Sequence, residues 1–125
     1  MPFSELALNT GVQAVADDVA SISLHTADPG ADGTANEVTG GTPAYARQSI
    51  TGANLDTVSG GEITLATDIE FDGPDNGDCP WVGLWTAGDA WLGGFEIIGD
   101  GEFSADGKFI LKAGDTLFRA KNPTV

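Results

Sequence analysis

Residues 81–98 read WVGLWTAGDAWLGGFEII, two apolar runs parted by Gly88-Asp89. Gly and Asp between aromatic and aliphatic runs of strand length are hairpin chemistry, because such a turn needs residues that tolerate positive φ. Trp81 and Trp85 are four residues apart with Gly83 between them, so in an extended chain they share one face. Upstream, from Val19, the same period of two holds. Ala20, Ile22 and Leu24 lie on one face and Ser21, Ser23 and His25 on the other, which predicts a half-buried strand. That strand breaks at Asp28-Pro29-Gly30, where Pro29 fixes φ, Gly30 accepts positive φ and the Asp28 carboxylate can bond the backbone ahead of it. A long run of turn-formers follows, and order resumes at Tyr45-Ala46-Arg47-Gln48. A loop of that length inside a small domain calls for a functional reason or disorder.

Further strands are predicted at Arg47–Thr51, around Ile63 and Leu65, around Ile69 and Phe71, at Phe103, at Phe109–Leu111 and at Thr116–Ala120. With turn signals about every 8–12 residues, the pattern is an all-β single-domain sandwich, jelly-roll-like, of about eight short strands. Phe3, Leu6, Ala7, Ala14 and Val15 recur near helical spacing behind Ser4, a suitable N-cap, and Gly11 interrupts them. The expectation is a short N-terminal helix or arm over residues 1–18 and a β-sandwich domain over 19–125.

The chain has 125 residues, 41% of them hydrophobic, with 18 glycines that follow no collagen-like period. That suffices for one core without staples. No apolar stretch approaches the length that crosses a bilayer, and the N-terminus lacks the form of a signal peptide, so a soluble protein made without export is expected. Nineteen acids against five bases give a net charge of −14. Nucleic acid and anionic membranes are thereby disfavoured as partners, since phosphates must be neutralised by Lys and Arg. Four of the five bases, Lys108, Lys112, Arg119 and Lys121, fall in the last 18 residues, a basic edge suited to an acidic neighbour. Cys79 is the only cysteine, so no internal disulfide forms, and beside Pro80 it reads as a small buried hydrophobe.

Catalytic chemistry finds little to work with. His25 is the only histidine, and no Ser lies in a nucleophile elbow. One His and one Cys cannot close a tetrahedral zinc site. His25 is expected as a half-exposed strand residue or a loop-anchoring hydrogen-bonder. No cofactor is expected; calcium near Asp72, Asp75 and Asp78 is the one metal the residues suggest, although Asp and Asn in turns usually serve the backbone. Trp81, Trp85 and Trp91 form an aromatic focus that suits a core, a subunit interface or a sugar-stacking platform. Arg47 is expected to grip a carboxylate, either a neighbour's or the loop's own Asp28 or Glu37.

Leu-His-Thr-Ala-Asp-Pro-Gly (residues 24–30), Asn-Glu-Val-Thr-Gly-Gly (36–41) and Tyr-Ala-Arg-Gln (45–48) resemble, in that order, a widespread family of short tailed-phage virion proteins labelled tail-fibre-like or minor tail proteins. Residues 1–17, Glu62–Phe71, Trp81–Ala87, Trp91–Gly94 and Lys112–Leu117 extend the resemblance over most of the chain. It implies a non-enzymatic structural component of the phage particle. Synthesis in the host cytoplasm and a place on the virion surface are expected. Fibre shafts require heptads, collagen-like triplets or repeats, and none is present. A head decoration or cement protein is therefore placed first, a tail-fibre-like or minor tail protein second, and a host-surface carbohydrate binder third. The expected partners are copies of itself, as a homotrimer, and the major capsid protein or a tail protein. Candidate interface residues are Phe3, Leu6, Tyr45, Arg47, Trp81, Trp85, Trp91, Lys112, Arg119 and Lys121.

Overall fold

The computed structural model describes residues 4–97, 101–114 and, as backbone, 116–119. One helix, α1 (Glu5–Asp18), precedes eight strands: β1 (Val19–His25), β2 (Gln48–Ser49), β3 (Glu62–Thr64), β4 (Ile69–Asp72), β5 (Trp81–Thr86), β6 (Trp91–Glu96), β7 (Lys108–Leu111) and β8 (Thr116–Arg119). The protein is all-β with a single N-terminal helix, and every strand pairing is antiparallel. The largest sheet has the order β2-β1-β5-β6, and the remaining strands form two two-stranded ladders, β3–β8 and β4–β7. The predicted strand at Arg47–Thr51 shrinks to two residues, and Phe103 is buried between strands without forming one.

The apolar core follows the period of two. Ile22 and Leu24 of β1 and Val82 and Leu84 of β5 meet Ile63, Ile69, Phe71, Phe103, Phe109 and Leu111. Phe109 stands edge-on to both Phe71 and Phe103, with ring centroids 6.4 and 6.1 Å apart. Cys79 is fully buried among them, as its apolar neighbours suggested.

The helix differs from expectation. Ser4 does cap it, its hydroxyl accepting from Ala7 N–H at 3.2 Å. The helix then runs unbroken through Gly11, whose missing side chain faces open space, for 14 residues. Continuous winding rotates Val12 and Ala16 into the core, with Val15 half-buried beside them, and leaves Leu6 77% exposed and Ala7 and Ala14 on the surface. A stripe at i, i+3 and i+4 is what a helix lying on a core requires.

In the β5–β6 hairpin, Asp89 N–H returns to Thr86 O at 3.0 Å and Thr86 N–H pairs with Ala90 O at 2.9 Å. The positive φ falls on Asp89 (60°) and not on Gly88. This is a three-residue loop closed by a left-handed residue, not the two-residue turn that Gly88-Asp89 suggested.

Candidate functional site

The second face of the large sheet carries the most elaborate chemistry. Ser23 and His25 are in register with Gly83 and Trp81 of β5, and Gly83 and Trp85 with Gly94 and Trp91 of β6. Ser23 and His25 are fully buried. The half-buried strand of the sequence is thus covered on both sides, and the cover is the long loop, residues 26–47, which folds back as a strap.

The strap continues the sheet where β2 ends. Val38 N–H donates to Leu24 O (3.0 Å) and Thr26 N–H to Asn36 O (2.8 Å). Leu24 N–H donates to the Tyr45 hydroxyl at 3.0 Å. At its turn the Asp28 carboxylate accepts from Gly30 N–H (2.9 Å), while Asn36 Nδ2 donates to Asp28 O (2.9 Å). Pro29 is buried. Asn36 takes the left-handed φ of 60° that its short amide tolerates.

Beneath the strap runs a closed chain of hydrogen bonds. Trp85 Nε1–H donates to Ser23 Oγ (2.8 Å), Ser23 Oγ lies 2.7 Å from His25 Nε2, and His25 Nδ1 lies 2.9 Å from Ala35 O. A carbonyl can only accept, so Nδ1 carries a proton, and in the neutral ring Nε2 accepts from the Ser23 hydroxyl. No buried side-chain polar atom among the described residues lacks a partner, which is what a buried polar network requires. The Trp91 ring packs edge-on to Trp85 and to His25, with centroids 4.9 and 6.1 Å away. It fills the space that Gly33 of the strap and Gly83 of β5 leave open. A Cβ on either glycine would run into that ring, and one on Gly83 would also strike Ser23 Oγ.

A clamp locks the strap. Arg47 meets Glu37 with both arms of its planar fork, Nε to Oε2 at 3.0 Å and Nη2 to Oε1 at 2.9 Å. Tyr45 donates its hydroxyl to the same Oε2 at 2.8 Å. The guanidinium lies 3.9 Å above the Trp85 ring, a cation–π contact. Burial works to raise the Glu37 carboxyl, but the hydrogen bonds from Arg47 and Tyr45 outweigh it and hold the group below its ordinary value. Arg47 is held above its own, first by the hydrogen bond to Glu37. Burial, with Glu37 beside it, pushes the Tyr45 phenol well up. Of the two loop acids expected to meet Arg47, Glu37 does so, whereas Asp28 serves its turn. His25 anchors the loop as expected but is fully buried, not half-exposed.

The candidate interface residues scatter. Tyr45 and Arg47 are consumed within the chain, and Trp85 is 4% exposed beneath Arg47. It therefore has no face to stack on a sugar, and the Trp81–Trp85 platform does not form. Trp81 and Trp91 are half-buried. Leu6 and Lys112 are exposed. Arg119 is placed by its backbone opposite Glu62, and Phe3 and Lys121 lie outside the described residues. The carboxylates named for calcium are not gathered. Asp72 is taken up by Lys108, which also pairs with Glu70 at 3.6 Å. Among the described residues no three His, Cys, Asp or Glu side chains stand together as metal ligands. Burial, reinforced by Asp78 and Glu102, pushes the Cys79 thiol up to about 12, far from a reactive thiolate. The polar chain under the strap was missed in the sequence; the alternation of Ser21, Ser23 and His25, which stand opposite Trp85, Gly83 and Trp81, was its only visible trace.

The polar groups beneath the strap, Ser23 and His25, are buried with their hydrogen bonds satisfied within the chain, and comparison with known proteins places the chain among phage structural proteins related to tail fibres. The chain belongs to the family of the Podophage GP4 fiber I protein gp80, whose model matches residues 7–100. That span contains α1 from its third residue onward, the strap, the clamp and the β5–β6 hairpin, and it ends before β7. No curated protein and no solved structure matches the chain.

Proposed function

We propose that this protein is a non-enzymatic subunit of a phage fibre or of the tail part that carries one, acting through shape and surface instead of chemistry. The single observation that carries the reading is the family match over residues 7–100, and it reverses the order reached from sequence, in which head decoration stood first. The clamp and the buried relay support it by accounting for the chemistry-bearing residues of the strap as structural groups. Arg47, Glu37, Tyr45, Ser23 and His25 each have their hydrogen-bond partners inside the chain. In this reading the protein needs no cofactor, assembles with copies of itself as a trimer and contacts another virion protein at the particle surface.

The test is to locate the subunit in an image reconstruction of intact particles and to count its copies. Density at the tail or its fibres with a few copies per particle is expected. Hundreds of copies over the head would restore the decoration reading, and absence from mature particles would end both.

A further inference from the structure

The strap is held to the sheet by few apolar contacts. Of residues 26–47 only Pro29, Gly33 and Val38 are buried, so most of its hold is polar and centres on Glu37. Three donors converge on that carboxylate: Arg47 Nε–H and the Tyr45 hydroxyl share Oε2, and Arg47 Nη2–H takes Oε1. A proton on Glu37 removes the charge that draws all three and adds a fourth hydrogen among them. The other titratable groups around the clamp do not repair this. Tyr45 is itself a donor. Asp89 of the β5–β6 turn also acts on Arg47 and is there to hold it once Glu37 is neutral. His25 of β1, bridged to Glu37 through the backbone, already gives Nδ1–H to Ala35 O. A second proton on its ring would draw an ionised Glu37 by charge, but it would also face the Ser23 hydroxyl, which already accepts from Trp85 Nε1–H. Trp85 and Trp91, packed beside the clamp, carry no charge.

Acid acts on the rest of the molecule in the opposite sense. In a chain of net charge −14, protonating scattered carboxylates lowers the repulsion across the body, and the strands are held by an apolar core. We propose that the strap is an acid-released latch: a proton on Glu37 frees residues 26–47 from the sheet while the strands stay folded, uncovering Trp85. That ring is 4% exposed and lies beneath the Arg47 guanidinium when the latch is closed. The closed clamp holds the Glu37 carboxyl below its ordinary value. Its hold is therefore whole above the range of a free glutamate, weakens as pH falls through that range and is gone below the lower value. The latch goes beyond the fibre reading and does not rest on it.

Amide hydrogen exchange, read residue by residue at pH 7 and near pH 3, tests this in the full chain. Thr26 N–H and Val38 N–H, bonded to Asn36 O and Leu24 O, report the strap, and Ile97 N–H and Phe103 N–H, bonded to Pro80 O and Gly77 O, report the body. In acid the protection of the strap pair should fall about tenfold or more relative to the body pair. Glu37→Gln, neutral at both pH values, should show that relative loss already at pH 7 and only a small further step in acid. Equal loss in strap and body would mean that the whole chain unfolds in acid, and no loss in the strap would mean that it stays closed without the charge; either overturns the latch. An undiminished acid step in Glu37→Gln would also overturn it, by placing the proton elsewhere. If that variant does not fold, the comparison within the parent protein decides alone.

Discussion

Glu37 carries more of the strap than any other residue, because one carboxylate accepts from both arms of Arg47 and from Tyr45. Glu37→Gln keeps the shape and removes the charge-assisted half of those bonds, which should cost about 2 kcal/mol at neutral pH. The sign of its pH dependence follows from a folded-state carboxyl below the ordinary value. Its contribution is whole above the range of a free glutamate and disappears as pH falls through the lower folded value. Urea unfolding of both proteins at pH 7 and again near pH 3 should show the gap between them closing in acid. A gap that persisted would mean the clamp is held by shape and not by charge. Gly83 makes the complementary point about space. Gly83→Ala sets a methyl against the Trp91 ring, Ser23 Oγ and His25 Nε2 at once, and overpacking of that kind costs about 1–3 kcal/mol. A loss of Trp85–Trp91 coupling in the near-ultraviolet circular dichroism should accompany the lower urea midpoint.

Elements were legible in proportion to how local their causes are. The β1 and β5–β6 strands announce themselves by alternation, and the Asp28 turn by its own side-chain chemistry. Helix α1 was legible as a helix but not in which face it buries, because Gly11 suggested a break that packing does not impose. A glycine facing solvent costs a helix only about 1 kcal/mol, and burial of Val12 and Ala16 outweighs it. Val12→Ala should accordingly cost about 2 kcal/mol in thermal or urea unfolding, while Leu6→Ala stays within about 0.5 kcal/mol. The reverse ranking would mean that α1 packs by its other face. The hairpin misled in a different way: Gly88 drew the positive φ on paper, whereas the geometry gives it to Asp89. Asp89→Gly should raise stability by about 0.5–1 kcal/mol, because a left-handed backbone costs glycine nothing. The strap itself was visible only as a long loop. Its fold depends on Glu37 meeting Arg47 and on His25 meeting Ala35, ten residues apart in each case, and no periodicity encodes a pair of that kind.

At the scale of the whole molecule, charge opposes folding. A net charge of −14 on a 125-residue chain leaves far more carboxylates than cations; among the described residues Arg47 answers Glu37, and Lys108 answers Asp72 and Glu70. Like-charge repulsion across a compact body is weaker in the expanded unfolded chain, so it lowers stability, and salt relieves it once the screening length falls to about 10 Å near 0.1 M. Salt also weakens the ion pairs, but the Glu37–Arg47 pair is a short, part-buried bidentate contact, where screening acts less than between separated surface charges. The repulsive sum is longer in range and lies at the surface, so it should win. Raising sodium chloride from about 10 mM to about 0.5 M should therefore lift the melting temperature by several degrees, on the order of 1–2 kcal/mol of stability for a domain of this size. Glu37→Gln should gain as much as the parent, since its lost contact is not the screened one. A melting temperature that fell with salt would show the paired charges outweighing the unpaired ones.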